Sequence, residues 1–445
     1  MSRAILILTA SGLFGADLRV ATFQADVTPP LNTPLCFALV KPGAQVVNPL
    51  TARGVVLLGG GAPIVLAAVD WLGISNESHD AWRRALAQAA DTTPDRVTVH
   101  VLHQHDAPGH DDTASRITRD AGLPDALQSD RFMADAVDLV AASVRVAVHR
   151  AQPTTHVGVG AGRVELVASN RRILGPDGKV KVGRMSSSRI AEAVAAPEGV
   201  VDPVLESISF WNDTKPLAFV TYYATHPQSH YGQGGIGWEF VGIARHAREQ
   251  ATGVPHIHFN GAGGNVAAGK YNDGSPERRP LLASRVEAGM RAAWDATTRT
   301  PVTADQLVWR TLPVALPLRD TISAETLRKV VNSPDAKLAD RLRAARDLAW
   351  VERIQGGHKI TVSRLKLGPA EAIHLPGELF IEYQLEARRI RAGQHLAVAA
   401  YGDLGPGYIG TRIAYSQGGY ETGIVSRTAP EVEDTLMSAI ARLLE

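Results

Sequence analysis

Between residues 54 and 294, short apolar, β-branched runs take turns with amphipathic segments of helical period, and this alternation restricts the chain to α/β architectures. Residues 54–69 (GVVLLGGGAPIVLAAV) read as two strands around a Gly-Gly-Gly turn. A helix is predicted over 78–90, capped by Asn76 or Ser78, and a strand over 96–102. The pattern continues with a helix over 132–149, a strand over 156–167, and paired strands 205–210 and 217–223 about Asn212-Asp213. A helix over 240–250, a short strand 256–259 and a long helix 279–294 follow. Residues 321–355 are charged and helical, which predicts helix laid across the surface. Strands resume at 361–367 and 371–375, then come a helix 379–390, a strand 396–400 and a last helix 430–444. The expectation is one large α/β domain, a mixed β-sheet core with flanking helices, whose late strands rejoin the early ones.

The bulk numbers narrow the partners. A net charge of +1 over 445 residues gives no electrostatic reason for nucleic acid or an anionic membrane surface. No apolar stretch approaches the ~20 residues of a transmembrane helix. At the N-terminus, Arg3, the apolar residues 4–8 and small residues up to Ala16 have the order of an export signal, with Asp17 as the expected mature start. That predicts a secreted or periplasmic protein. The single cysteine, Cys36, forms no internal disulfide and reads as a small buried hydrophobe. Any metal must then be held by His, Asp, Glu or Tyr, ligands that suit catalytic zinc.

Candidate ligands gather where predicted strands end, the place where α/β sheets build sites. "VLHQHDAPGH" puts His103 and His105 directly after a strand. Side chains two apart share one face of a continuing strand, but flank a residue that points the other way. Here the Ala107-Pro108-Gly109 that follows ends the strand and lets the chain turn both rings to one centre. His226 in "TYYATHPQSH" follows the strand 217–223, with His230 close behind. Glu378 in "AIHLPGELF" lies between a strand and a helix, where it also suits the helix dipole. "GDLGPGYIGTRIAY" carries Tyr408 and Tyr415 among glycines, and the residues alone do not rank one above the other. Two histidines plus a carboxylate make a recurrent catalytic zinc set. "HFNGAGGNVAAGKYNDG" is a glycine-rich loop after a strand, without the spacing of a nucleotide site. Arg171, in "ASNRRILGPDGKV", is either solvated or a fork that fixes a polar substrate group.

The order of these pieces carries a resemblance. "FQADVTPPLNTPLCF", "HQHDAPG", "SNRRI", "THPQS", "NGAGGNVA", "LPGE" and "GYIGTRIAYSQGGYE" follow one another from about residue 22 to 424. Together they resemble the neutral/alkaline non-lysosomal ceramidases, zinc amidases that cleave the N-acyl bond of ceramide. The resemblance covers the catalytic domain, residues 17–445, and finds no counterpart of the family's C-terminal immunoglobulin-like domain. It implies zinc held by His103, His226, Glu378 and Tyr408, with His105 close to the reacting carbonyl and Arg171 as an active-site arginine.

Some positions depart from the family pattern. The serine that follows the family's glycine-rich loop is Ala267, and the second histidine is followed by Asp106, a further carboxylate close to the expected metal. The segment after the His-Pro motif reads Trp238-Glu239-Phe240-Val241-Gly242. The expected reaction is hydrolysis of an N-acyl bond by zinc-activated water, with His105 or Asp106 taking the proton and Arg171 holding the polar head of a small or lipid-like substrate. The alternatives are a metal- or ligand-binding homologue without catalysis, and a metal-dependent esterase or phosphoesterase.

Overall fold

The computed structural model describes residues 17–445. The expected export signal, residues 1–16, lies outside the described residues. Three principal sheets form, each containing one strand–helix–strand unit with parallel strands.

The first sheet holds β1 (Arg19–Asp26), β2 (Thr51–Gly59), β3 (Gly61–Val69) and β4 (Val97–Val101), with Gln152–Pro153 at the far edge. β2 and β3 are the hairpin expected around the glycines, and Gly59 and Gly61 hold φ of 128° and 101°, which suit glycine alone. α1 (Asn76–Ala90) crosses over so that β4 runs parallel to β3, and α2 (Asp130–Val148) packs on β1. The second sheet runs β8-β7-β6-β5-β9, from β5 (His156–Arg163), β6 (Val204–Asn212), β7 (Lys215–Tyr223), β8 (His256–Asn260) and β9 (Thr298–Pro301). Here α3 (Phe240–Thr252) makes the crossover between parallel β7 and β8, and α4 (Arg278–Asp295) packs against α3 and β5. The third sheet is β10 (Leu307–Val314), β11 (Ile360–Leu367), β12 (Ala370–His374) and β13 (Ala397–Ala399) in that order. Between β10 and β11 runs α5 (Leu338–Gln355); α6 (Ile381–Ile390) links parallel β12 and β13, and α7 (Val432–Leu444) packs on α6.

The late strands therefore build their own sheet rather than rejoin the first. Backbone hydrogen bonds tie its strand ends to the others: Ala400 donates to the Asn260 carbonyl at the end of β8, and Val101 at the end of β4 donates to the Tyr401 carbonyl. Asn260 Nδ2 also donates to Leu102 O at 2.6 Å. The C-terminal ends of the parallel pairs are thus tied together at one place. Parallel strands are covered on both faces, and every residue of β4, β8 and β12 is buried. The charged segment 321–355 becomes two helices, Ala324–Asn332 and α5, and α5 is not simply a surface helix. It buries Leu342, Leu348, Trp350 and Val351, because its apolar residues repeat at helical spacing against the core.

Candidate metal centre

His103 and His226 follow the ends of two of these strands, and Glu378 and Tyr408 sit on a separate short ladder. β4 stops at Val101, and His103 takes φ = 61°, a left-handed turn that breaks the strand where the sequence predicts. Its Nδ1 lies 2.8 Å from the Leu72 carbonyl, just past the end of β3. His226 lies three residues beyond β7, with Nδ1 2.6 Å from the Gly263 carbonyl of the glycine-rich loop. Glu378 and Tyr408 face each other across a two-strand parallel ladder, Glu378–Leu379 with Tyr408–Ile409, so their side chains leave on the same side. α6 begins at Ile381, with Phe380 as its cap, so Glu378 is a strand residue and the helix dipole does not account for it.

His103, His226 and Glu378 place one ligand atom each within 4.8 Å of one another, all three buried. Glu378 Oε2 is 3.2 Å from His103 Nε2 and 3.0 Å from His226 Nε2. The Tyr408 hydroxyl is 3.1 Å from His226 Nε2. Carbonyl oxygens only accept, so Nδ1 of each ring carries the proton and Nε2 of a neutral ring offers a lone pair. Burial holds His226 below its usual pKa against the opposing pull of Glu378, which keeps that ring neutral at pH 7. Lone pairs of two imidazoles thus face a carboxylate, an arrangement that repels itself until a cation lies between them. Donors at about 2.0–2.1 Å on a zinc tetrahedron stand roughly 3.3 Å apart, close to the spacing observed. The residues fit a zinc ion.

The glycine-rich loop braces the strand ends beside His226 and Glu378. Its glycines let it press against the strand ends: a Cβ on Gly264 would lie 2.2 Å from the Glu378 carbonyl oxygen, and one on Gly263 would lie 2.9 Å from the Tyr401 hydroxyl. Gly264 N donates to Leu379 O at 2.7 Å, and His226 N to Val266 O. Ala267 is buried in a short ladder with Ser169 and forms a bridge to His226.

Two predicted residues play other parts. Asp106 is turned away from the ligand group, because both of its oxygens are committed: Oδ1 accepts from Gly232 N at 2.8 Å and Oδ2 pairs with Arg279 at 3.2 Å. Arg171 is 2% exposed and does not line the cavity. It donates to the Tyr408 hydroxyl at 3.0 Å, pairs with Glu421 at 3.1 Å, and lies beside the Tyr408 and Tyr420 rings. Its fork positions Tyr408 and is not free for a substrate. Burial keeps the Tyr408 phenol well above its usual pKa, with Arg171 working the other way, so the hydroxyl keeps its proton at pH 7.

His105 lies on the wall of the cavity. Its ring is 5.5 Å from that of His103 and edge-on to Tyr231 at 4.6 Å, and it makes no hydrogen bond among the described residues. His230 bonds the Gly274 carbonyl, and Tyr415 bonds Ser426 and Thr428, so neither joins the group. Tyr401 does belong at the site and sequence reasoning missed it. Its φ is 61°, its ring lies tilted against that of His103 with centroids 5.0 Å apart, and its hydroxyl lies 3.3 Å from His226 Nδ1. Glu421, which anchors both Arg171 and Arg172, was missed as well. The only signal for it was its place at the end of "SQGGYE". A cavity of about 280 Å³ opens over the ligand group, lined by His103, His105, Glu378, Tyr408 and Tyr420 among others.

No protein-family model and no curated protein sequence matches the chain. Solved structures do. A neutral ceramidase from Pseudomonas aeruginosa superposes with a TM-score of 0.69 over 96% of this chain and 74% of its own, at 16% identity. The chain has the neutral ceramidase fold. A ceramidase solved in complex with C2 matches equally well, with a TM-score of 0.69 over 96% of this chain and 75% of its own, at 15% identity. The ceramidase fold here is mixed α/β with several small sheets, and the ligand group lies where its strand ends converge. No helix among the described residues is long and apolar enough to cross a membrane.

Proposed function

We propose that this chain is a zinc-dependent hydrolase that cleaves an N-acyl amide bond. The observation that carries this reading is the convergence of His103 Nε2, His226 Nε2 and Glu378 beside an open cavity that His103 and Glu378 line, with both Nδ1 atoms pinned by carbonyls. Such outer hydrogen bonds fix ring tautomer and direction, as metal-binding histidines require. The likeness to the ceramidases supports an amide as the bond cleaved.

His103, His226, Glu378 and Tyr408 would hold the zinc. When bound, it supplies a Lewis acid that acidifies water and polarises a carbonyl. The chain's own residues do the rest. Burial depresses the basicity of His105 well below the usual imidazole value, so the ring is neutral at pH 7 and has a nitrogen able to accept a proton from water. It can then return that proton to the departing amine. Arg171 donates to the Tyr408 hydroxyl and holds it beside His226 Nε2. Ala267 offers no hydroxyl, and Asp106 is paired, which leaves His105 as the base. Residues 1–16 would export the protein to a secreted or periplasmic location, and residues 17–445 form the catalytic unit.

The test is metal analysis together with a panel of N-acyl, ester and phosphoester substrates, with and without chelator. About one zinc per chain and chelator-sensitive release of amine are expected. Zinc without turnover on any substrate would leave a metal-binding protein and reject the hydrolase reading. Turnover confined to esters or phosphoesters would reject the amide.

A further inference from the structure

The cavity above the ligand group has a second charged wall, made by Arg343 and Arg346 of α5 and by Arg427. Two of these guanidinium groups are committed. Arg343 pairs with Asp340, while Arg427 bonds Asp347 at 2.6 Å and the Gly405 carbonyl at 2.8 Å. Arg346 has no hydrogen-bond or ion-pair partner among the described residues. Its guanidinium sits over the Phe37 ring, 4.2 Å from the centroid. Stacking occupies the face of the group and leaves the in-plane N–H donors free. None of its nitrogens is sealed from solvent without a partner, so the donors open on the cavity.

The support under Arg346 is built at some cost. Cys36, Phe37 and Ala38 take φ of 51°, 52° and 63°, three successive non-glycine residues in the left-handed region. Such conformations are costly for L residues and persist where the surroundings impose them. The Phe37 ring fits because position 109 is glycine: a Cβ there would lie 2.4 Å from the ring. The Arg346 charge also reaches the other wall, where it lowers the Tyr420 phenol against the dominant upward push of burial. A half-buried cation without a partner is unfavourable until an anion arrives. Glu378 is the only carboxylate among the residues lining the cavity.

We propose that Arg346, stacked on Phe37, recognises an anionic group, and that the substrate is a compact N-acyl compound bearing a carboxylate, as an N-acyl amino acid does. This rests on the amidase reading. A planar fork of donors matches a carboxylate in two-point fashion. At about 280 Å³ the cavity lies at the small end for ligand sites, which suits a compact molecule. The apolar rim of Leu39, Tyr420 and Ile424, between 47% and 64% exposed, would take the acyl chain.

The experiment compares N-octanoylglycine with its neutral isostere N-octanoylglycinamide on the zinc-loaded full chain. Wild type should favour the carboxylate by about 10-fold or more in kcat/KM. Arg346→Met keeps a stem over Phe37, and should lose that preference through KM while the neutral amide changes less than about two-fold. Arg346→Lys, a charge without the fork, should recover part of it. Equal kcat/KM for the two compounds in wild type, or an equal loss on both in Arg346→Met, overturns the proposal. Calorimetry with N-octanoylglycine, with and without chelator, separates the two layers of argument. If nothing is cleaved but the carboxylate binds wild type and not Arg346→Met, the anion site stands and the amidase reading falls. If neutral amides are cleaved without any charge preference, the amidase stands and the anion site falls. Binding that chelator abolishes and Arg346→Met leaves intact places the carboxylate on the metal and overturns the proposal.

Discussion

Alanine at position 264 adds one carbon, and the structure says where it goes. The new Cβ would lie 2.2 Å from the Glu378 carbonyl oxygen and 2.8 Å from its carbonyl carbon, against an ordinary contact of 3.4 Å or more. Something must give by about 1 Å, and both sides carry a ligand. If the strand yields, Glu378 moves. If the loop yields, the Gly263 carbonyl that fixes His226 moves with it. Metal–ligand distances tolerate only about 0.2 Å. Disturbing the groups that orient ligands typically costs 10–100-fold in metal affinity, which is about 1.4–2.8 kcal/mol. Gly264→Ala should therefore weaken zinc binding by at least about 10-fold although no ligand has been changed. The assay is competition with a chelator of known affinity, alongside thermal unfolding of the metal-free protein to confirm folding. A folded Gly264→Ala protein that binds zinc within about two-fold of wild type would refute the claim that this close approach sets the ligand geometry.

Three further outcomes follow from the same geometry. Asp70 and Arg245 form a two-point ion pair at 2.7 and 2.9 Å, both almost fully buried. Asp70→Ala should cost about 3–5 kcal/mol in urea unfolding because it strands the guanidinium, while Asp70→Leu with Arg245→Met should recover most of it; a single variant within about 1 kcal/mol of wild type would show the pair to be dispensable. Arg171→Met removes the donor that holds Tyr408, so zinc affinity should drop about 10–100-fold with the fold intact, and unchanged affinity would end that role. Burial raises the Glu239 carboxyl to about 7, with Arg279 opposing. The folded state then keeps a proton that the unfolded chain releases near its ordinary value, so stability is present at low pH and declines as pH rises from about 4.5 to about 7, by on the order of 3 kcal/mol. Glu239→Gln should flatten that decline in urea midpoints measured across the range, and an unchanged slope would reassign it to another group.

The positions of His103, His226 and Glu378, which the structure brings together, were legible because each is marked by a local event. A strand ends at a breaker, and a His or Glu follows: His103 before Ala107-Pro108-Gly109, His226 before Pro227, Glu378 after Pro376-Gly377. Chain breakers act through their own backbone preferences, so they can be read without knowing the fold. Tyr408 was separable from Tyr415 only through the family resemblance. Tyr408 faces Glu378 in a parallel ladder, while Tyr415 turns toward Ser426 and Thr428. Tyr401 had no local mark of its own.

What the sequence determined by itself was the α/β class, the hairpin around Gly60 and the strand ends from which His103, His226 and Glu378 depart. These depend on residue period and on turn chemistry, which act over a few residues. Tertiary structure alone decided that the late strands would form a third sheet, that Asp106 would turn to Arg279, that Arg171 would serve Tyr408, and that Arg346 would face the cavity. Each outcome depends on partners far apart in the chain: Arg279 is 173 residues from Asp106, and Tyr408 is 237 residues from Arg171. Apolar burial draws such segments together without directional preference. Strand register and side-chain pairing then choose the neighbours, and neither leaves a trace in the local pattern.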